Sequence, residues 1–302
     1  MALPLLVFVT FAVFVLVSLM PGNPARILAG ANPSLVPYIT KELGLNKPLM
    51  SRYWDWLSAA IGGNLGQSYV QHESVDSALW AALPITASLI TLSLVISSVT
   101  AFVAGLAAAL RVGRITDRVI GTISALAIAA PPFWIGYLFV LWFAIDVRWL
   151  PALGYESPSN GIWAWISHLI LPAVTLSLWT SAILTLQLRG AMLDVLGRPY
   201  ILSARAKGLG GVAIIGKHAL KNSAAPVVTV LGFQLAQLIG GTVLVEDVFS
   251  LPGLGKLALT STLDRDVPVM LGLVVLTTLV VIAVNFLVDL SYGYFNPKVR
   301  VS

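Results

Sequence analysis

Six stretches of this sequence, at 3–20, 77–110, 119–145, 169–188, 222–245 and 267–288, contain no Asp, Glu, Lys or Arg. A helix of about 20 apolar residues crosses a bilayer core of about 30 Å. The runs are continuous rather than alternating with a helical or strand period. The whole chain of 302 residues is 58% hydrophobic and only 10% charged, against about 25% charged in a soluble domain. Its mean hydropathy is +0.90. A soluble protein of this size has no interior large enough for that much apolar surface. The reading is an all-α, polytopic membrane protein forming a single transmembrane domain over 1–302. Its helices fall at about 3–20, 79–110, 119–145, 166–188, 223–245 and 267–288, with an external segment at 21–76. Six spans place both termini on one side.

The second run is too long for one perpendicular span. Its 34 residues extend roughly 50 Å as a helix, against a core of about 30 Å. It tilts, projects past the membrane, or begins as a surface helix that breaks near Pro84. The first run lacks the basic residues that open a secretory signal and is read as a retained helix. Cysteine is absent, which excludes disulfides, thiolate metal sites and a cysteine nucleophile.

Loop charge sets the orientation. The loops 111–118 and 189–221 with the tail 290–302 hold eleven Lys and Arg. The much longer segments 21–76, 146–168 and 246–266 hold seven, together with ten of the thirteen acidic residues. Positive-inside then puts both termini in the cytoplasm, and the net charge of +5 reads as topology rather than as a signal for nucleic acid. Among the external segments, Tyr53, Trp54 and Trp56 near Leu57 suit a helix lying at the interface. Leu251-Pro252-Gly253-Leu254-Gly255 is either a re-entrant cap or an ordinary external turn.

The internal loop at about 190–221 carries the sharpest signal. Pro199 suits the first turn of a helix, and Gly208 suits a left-handed helix end. A second short helix follows over 212–221. His218, Asn222 and Pro226 share one helix face at successive intervals of four. The result is a small knob of mixed basic and apolar character, fit either to dock in a groove of a soluble partner or only to enforce topology.

Ser203-Ala204-Arg205-Ala206-Lys207-Gly208-Leu209, followed by His218, Asn222 and Pro226, resembles the conserved loop of ABC importer permeases, specifically those of the dipeptide, oligopeptide and nickel family. The likeness runs along the chain. It includes Pro21-Gly22-Asn23-Pro24, Leu43-Gly44-Leu45, Gly63-Asn64-Leu65-Gly66-Gln67-Ser68-Tyr69 and Leu83-Pro84-x-Thr86. It continues through Glu246, Phe249 and Leu251-Pro252-Gly253 to Arg265-Asp266-x-Pro268. It ends with Asn285, Asp289, Tyr292, Asn296-Pro297 and Arg300. Two departures stand out. The Glu of the general motif falls on Leu202, and the basic residues usual before the first helix are missing.

The resemblance implies a permease subunit of an ATP-driven importer in the bacterial cytoplasmic membrane. Its partners would be a second, related permease, two ATPase subunits, an external substrate-binding protein and membrane lipid, with no nucleic acid. Ser203, Ala204, Arg205, Ala206, Lys207, Gly208, Leu209 and His218 would couple to the ATPase. The chain has no Walker glycine loop, so ATP and Mg would belong to the partners, with no cofactor, catalytic residue or metal here. The solute would be a di- or oligopeptide, with nickel or another small solute as the alternative.

A polar solute needs a polar lumen. Gln234, Gln237 and Glu246 are the pathway candidates. The glutamines serve equally well as helix–helix hydrogen-bonding groups, and Glu246 as a turn contact. Gly240-Gly241 permits close helix approach, either within the chain or to the second permease. Asn285 and Asp289 read as packing groups, His168 as interfacial and Asp194 as a helix-surface charge. A self-contained carrier would need a coupling-ion site, from buried carboxylates or broken helices at midplane in repeated halves, and the sequence has no acid near mid-span and no clear internal repeat. The three histidines, His72, His168 and His218, lack an acid at ligand spacing, which argues against a membrane hydrolase. A simple anchor has no need of the knob.

Overall fold

The computed structural model describes residues 2–19, 23–30 and 32–295. Pro21 and Gly22, the side chains of Asp289 and Tyr292, and Asn296, Pro297 and Arg300 lie outside the described residues. The regular elements described are helices, with one isolated antiparallel bridge between Gln67 and Ser74. Among the described residues, four helices are long and apolar enough to cross a membrane: Val75–Leu110, Ile162–Leu196, Gly211–Val248 and Val267–Val288. Pro4–Leu19 is apolar but shorter than a span.

The chain divides into two compact units, one of residues 1–86 with 252–282 and one of residues 87–251 with 283–302.

In the first unit, α1 (Ala2–Leu19) packs against the amphipathic α4 (Leu49–Ile61), after short α2 (Pro24–Ala29) and α3 (Val36–Glu42). Tyr53 and Leu57 are one turn apart and buried, whereas Trp54 on the other side is 68% exposed. The Tyr53 ring sits between Phe11 and Phe14, at 5.1 and 5.5 Å. Its hydroxyl donates to the Val7 carbonyl at 3.0 Å. Asp266 organises the loop that precedes α5 (Val75–Leu110), accepting from Ser68 Oγ and from the Tyr69 backbone N–H at 3.1 Å. Thr86 Oγ1 accepts the Leu254 N–H at 2.8 Å, capping α12 (Leu254–Leu263). The stretch 246–266, read from the sequence as external, is thus part helix. α5 stays helical through Pro84, so the reading of a break there is excluded.

In the second unit, α8 (Ile162–Leu196) is the central helix, with α6 (Ile115–Ala129), α7 (Pro132–Phe139) and α11 (Lys221–Val248) packed on it. Small residues let it be approached closely. A Cβ at Gly105 of α5 would lie 3.0 Å from Leu188 Cβ and the Thr185 carbonyl. The expected uninterrupted helix over 119–145 is not found. α6 and the α7 segment, which continues as a π turn over Val140–Asp146, meet at 102°. Ala130 takes extended angles, φ −79° and ψ 130°, because the residue before a proline is driven out of the helical region. Pro131 has no N–H for the helix ladder, and Pro132 restarts the helix at its first position.

The separate short helix expected over 212–221 is also corrected. α10 (Gly211–Ala213) runs through a π turn over Ile214–Leu220 directly into α11, so the knob's return arm and the fifth span form one helix.

Candidate functional site

The knob begins at α9 (Pro199–Ala206), with Pro199 in its first turn. Ile201 and Ala204, three residues apart, are buried and hold α9 down. Ser203, Arg205, Ala206, Lys207, Gly208 and Leu209 face solvent. Of the expected coupling residues, Ala204 therefore serves as the anchor rather than as surface, and His218 is half-buried. Leu202, where the general family motif has Glu, is 60% exposed.

The end of α9 is closed by two backbone bonds. Leu209 N–H donates to the Ala204 carbonyl at 3.2 Å, and Gly208 N–H to the Arg205 carbonyl at 2.9 Å. This is the Schellman pattern, which needs a left-handed residue at the second-last position. Gly208 supplies it with φ +80°. Beyond the turn, Asn222 Nδ2 donates to the His218 backbone carbonyl one turn back, at 2.6 Å. Val212 is 88% exposed, which gives the knob an apolar tip beside its cations.

An apolar cluster of Ala109, Leu188, Met192, Val195 and Ala219 packs the base of the knob. It joins the end of α5, the last turns of α8 and the return arm. Beside it, the exposed Asp194 pairs with Arg198 at 2.8 Å, and that carboxylate raises the Arg198 guanidinium above its usual range.

Sequence reading missed the ion pair of Arg189 on α8 with Asp117 on α6 (2.5 Å). Its available signal is that Asp117 is the single acid among Arg111, Arg114 and Arg118.

The pathway candidates do not form one cluster. Gln234 is buried, and its Oε1 has no hydrogen-bond partner among the described residues. Gln237 is exposed. Glu246 is fully buried near the end of α11, where the Leu251 N–H donates to its carbonyl at 2.8 Å to form the following turn. Gly240 faces open space, whereas a Cβ at Gly241 would meet Leu176 at 3.1 Å, so only Gly241 serves packing within the chain. His168 Nδ1 lies 2.8 Å from the Ala164 carbonyl. Among the described residues, no group of three His, Asp or Glu is placed to hold a metal.

In the first unit, burial pushes the Tyr69 phenol up from its usual value, with Arg52 opposing and Asp266 adding to the shift.

Comparison with known proteins agrees with this architecture. Residues 101–301 match the family model of binding-protein-dependent transport system inner membrane components. Residues 1–90 match its N-terminal companion. The chain is 40% identical over 290 residues to the probable peptide ABC transporter permease protein y4tP of Sinorhizobium fredii, covering 95% of this chain and 93% of that one. It is 35% identical over 301 residues to a putative peptide transport system permease protein of Brucella abortus, covering 99% and 96%. It is 35% identical over 300 residues to the glutathione transport system permease protein GsiC of Escherichia coli K12, covering 99% and 95%. A crystal form of the MetNI methionine ABC transporter in inward-facing conformations shares the fold, with TM-score 0.61 at 17% identity, over 72% of this chain and 96% of that one.

Proposed function

The chain belongs to the family of binding-protein-dependent transport system inner membrane components, and on that premise we propose that it is one permease subunit of an ATP-driven importer of di- or oligopeptides. It is a multi-pass protein of the bacterial inner membrane. In this reading it lines half of the translocation pathway and a second, related permease lines the rest. An external binding protein delivers the solute. Two ATPases dock from the cytoplasm and perform the hydrolysis, so this chain has no catalytic step. Relatives named for peptide and for glutathione transport support a peptide solute.

One observation carries the docking reading. The 199–209 knob is anchored and exposed at once, held below by the buried Ile201 and Ala204 and closed by the left-handed Gly208. A loop that only enforces topology needs positive charge but not a fixed backbone. Gln234, buried with an acceptor unpartnered among the described residues, supports a polar contact supplied from outside the chain, by solute, water or the second permease.

The absence of cysteine makes the test direct. A single cysteine at Ser203 should cross-link to the co-expressed ATPase through a short bifunctional reagent, and one at Ser159 should not. Efficient cross-linking at Ser159 with none at Ser203 overturns the docking reading.

A further inference from the structure

Asp117 is buried, and both of its carboxylate oxygens are occupied. Arg189 Nε donates to Oδ1 at 2.5 Å and Arg189 Nη2 to Oδ2 at 2.8 Å. The Gly113 backbone N–H donates to Oδ2 at 2.9 Å. This fork-to-fork geometry fixes orientation as well as distance. The other two ion pairs among the described residues, Lys47–Asp55 and Arg198–Asp194, have side chains more than half exposed. The Asp117 side chain is only 9% exposed. A charge that serves only orientation needs no counterion and no burial.

The positions joined are informative. Gly113, with φ +76°, lies in the turn between α5 and α6. Asp117 is in the first turn of α6. Arg189 sits on α8 beside Leu188, which belongs to the apolar cluster under the knob. That cluster grips α5, α8 and the return arm but contains no residue of α6. The ion pair is the polar tie by which α6 joins the knob's base. At its far end α6 meets the 102° break. Beyond it, Gly136 of α7 packs where an added Cβ would lie 3.3 Å from Val248 and Phe249 and 3.4 Å from Thr175.

We propose that Asp117 and Arg189 form a coupling strut, a positioning pair that makes the bent α6–α7 segment follow the base of the knob. The pair touches neither solute nor ATP. It conveys displacement of the knob to α6, and α6 conveys it to the packing of α7 on α8 and α11. The inference rests on the docking reading given under Proposed function.

The test uses the complete complex, reconstituted with its second permease, ATPases and binding protein. Bound ATPase, ATP hydrolysis and peptide uptake are each measured. Asp117→Asn and Arg189→Gln should retain bound ATPase and its hydrolysis, while peptide moved per ATP falls roughly ten-fold, within the usual range of coupling between sites. The exchanged pair, Asp117→Arg with Arg189→Asp, should recover most of that ratio. Arg189→Lys keeps the charge but loses the fork, and should fall between, which decides the matter if the exchanged pair does not fold. A merely structural pair would lower the yield of complex and leave uptake per ATP unchanged in what survives; that result overturns the strut. A wild-type chain that binds no ATPase removes the docking reading and the strut with it, and so is distinct from a strut failure with docking intact.

Discussion

Replacing Gly208 by Ala tests the knob through its backbone alone. Gly208 holds φ +80°, and an added Cβ there would meet nothing within 4 Å. The penalty is therefore conformational, about 1–2 kcal/mol for an L-residue in the left-handed region. That penalty lowers the population of the closed turn relative to the open one by a factor of about 5–30. If the ATPase binds only the closed turn, the apparent Kd rises by as much as that factor. Gly210 is the matched control. It also faces open space, but its φ of −68° and ψ of 154° suit any residue, so Gly210→Ala should leave Kd unchanged. Gly208→Asn should fall between, because Asn tolerates the left-handed region better. The assay is titration of purified ATPase onto the chain held in nanodiscs, with the melting temperature as a check that the fold is intact. Equal weakening by the Gly208 and Gly210 variants, or none from Gly208→Ala, would refute the claim that this turn is what the partner reads.

Other outcomes follow from the same geometry. Gly136→Val should destabilise the second unit by about 1–3 kcal/mol through overpacking, since its Cβ meets Val248, Phe249 and Thr175 at 3.3–3.4 Å. Gly240→Val, facing open space, should not change the melting temperature. Asp266→Asn removes the charged acceptor for Ser68 and Tyr69 and should cost about 1.5–3 kcal/mol, read as a lower melting temperature and faster proteolysis of the 63–74 loop. Tyr69, with its phenol raised chiefly by burial, should ionise above the usual value of 10.0. The stability that this shift contributes is fully present below pH 10 and is lost as pH rises through the raised value. Ultraviolet titration of wild type against Tyr69→Phe should then show a late tyrosinate step that is missing from the variant; a step at or below 10 contradicts the burial argument.

What sequence could foretell here was local. Pro199 and Gly208 bound α9 because a fixed φ and a left-handed φ are properties of single residues. Tyr53 and Leu57 are buried together because residues four apart share a helix face. Reading uncharged runs as uniform spans hid the break at Ala130, although Pro131-Pro132 carried the signal. It also split Gly211–Val248 at Lys221, since a charge can sit on a helix that continues past the membrane. The Asp117–Arg189 pair joins residues 72 apart. No local periodicity records such a contact, and positive-inside counting absorbed both residues into topology. Gln234 and Gln237 looked alike on the sequence, but packing buried the first and exposed the second.

A permease driven by ATPases docked on the 199–209 knob must move solute only when those ATPases hydrolyse ATP. The most direct measurement is uptake of a labelled dipeptide by proteoliposomes holding this chain, its second permease and the ATPases, with binding protein outside. Uptake should require ATP and the binding protein, and should vanish when 199–209 is replaced by a Gly-Ser linker of equal length. Uptake by this chain alone under a proton or sodium gradient, with no ATPase present, would instead mark it as a self-contained carrier.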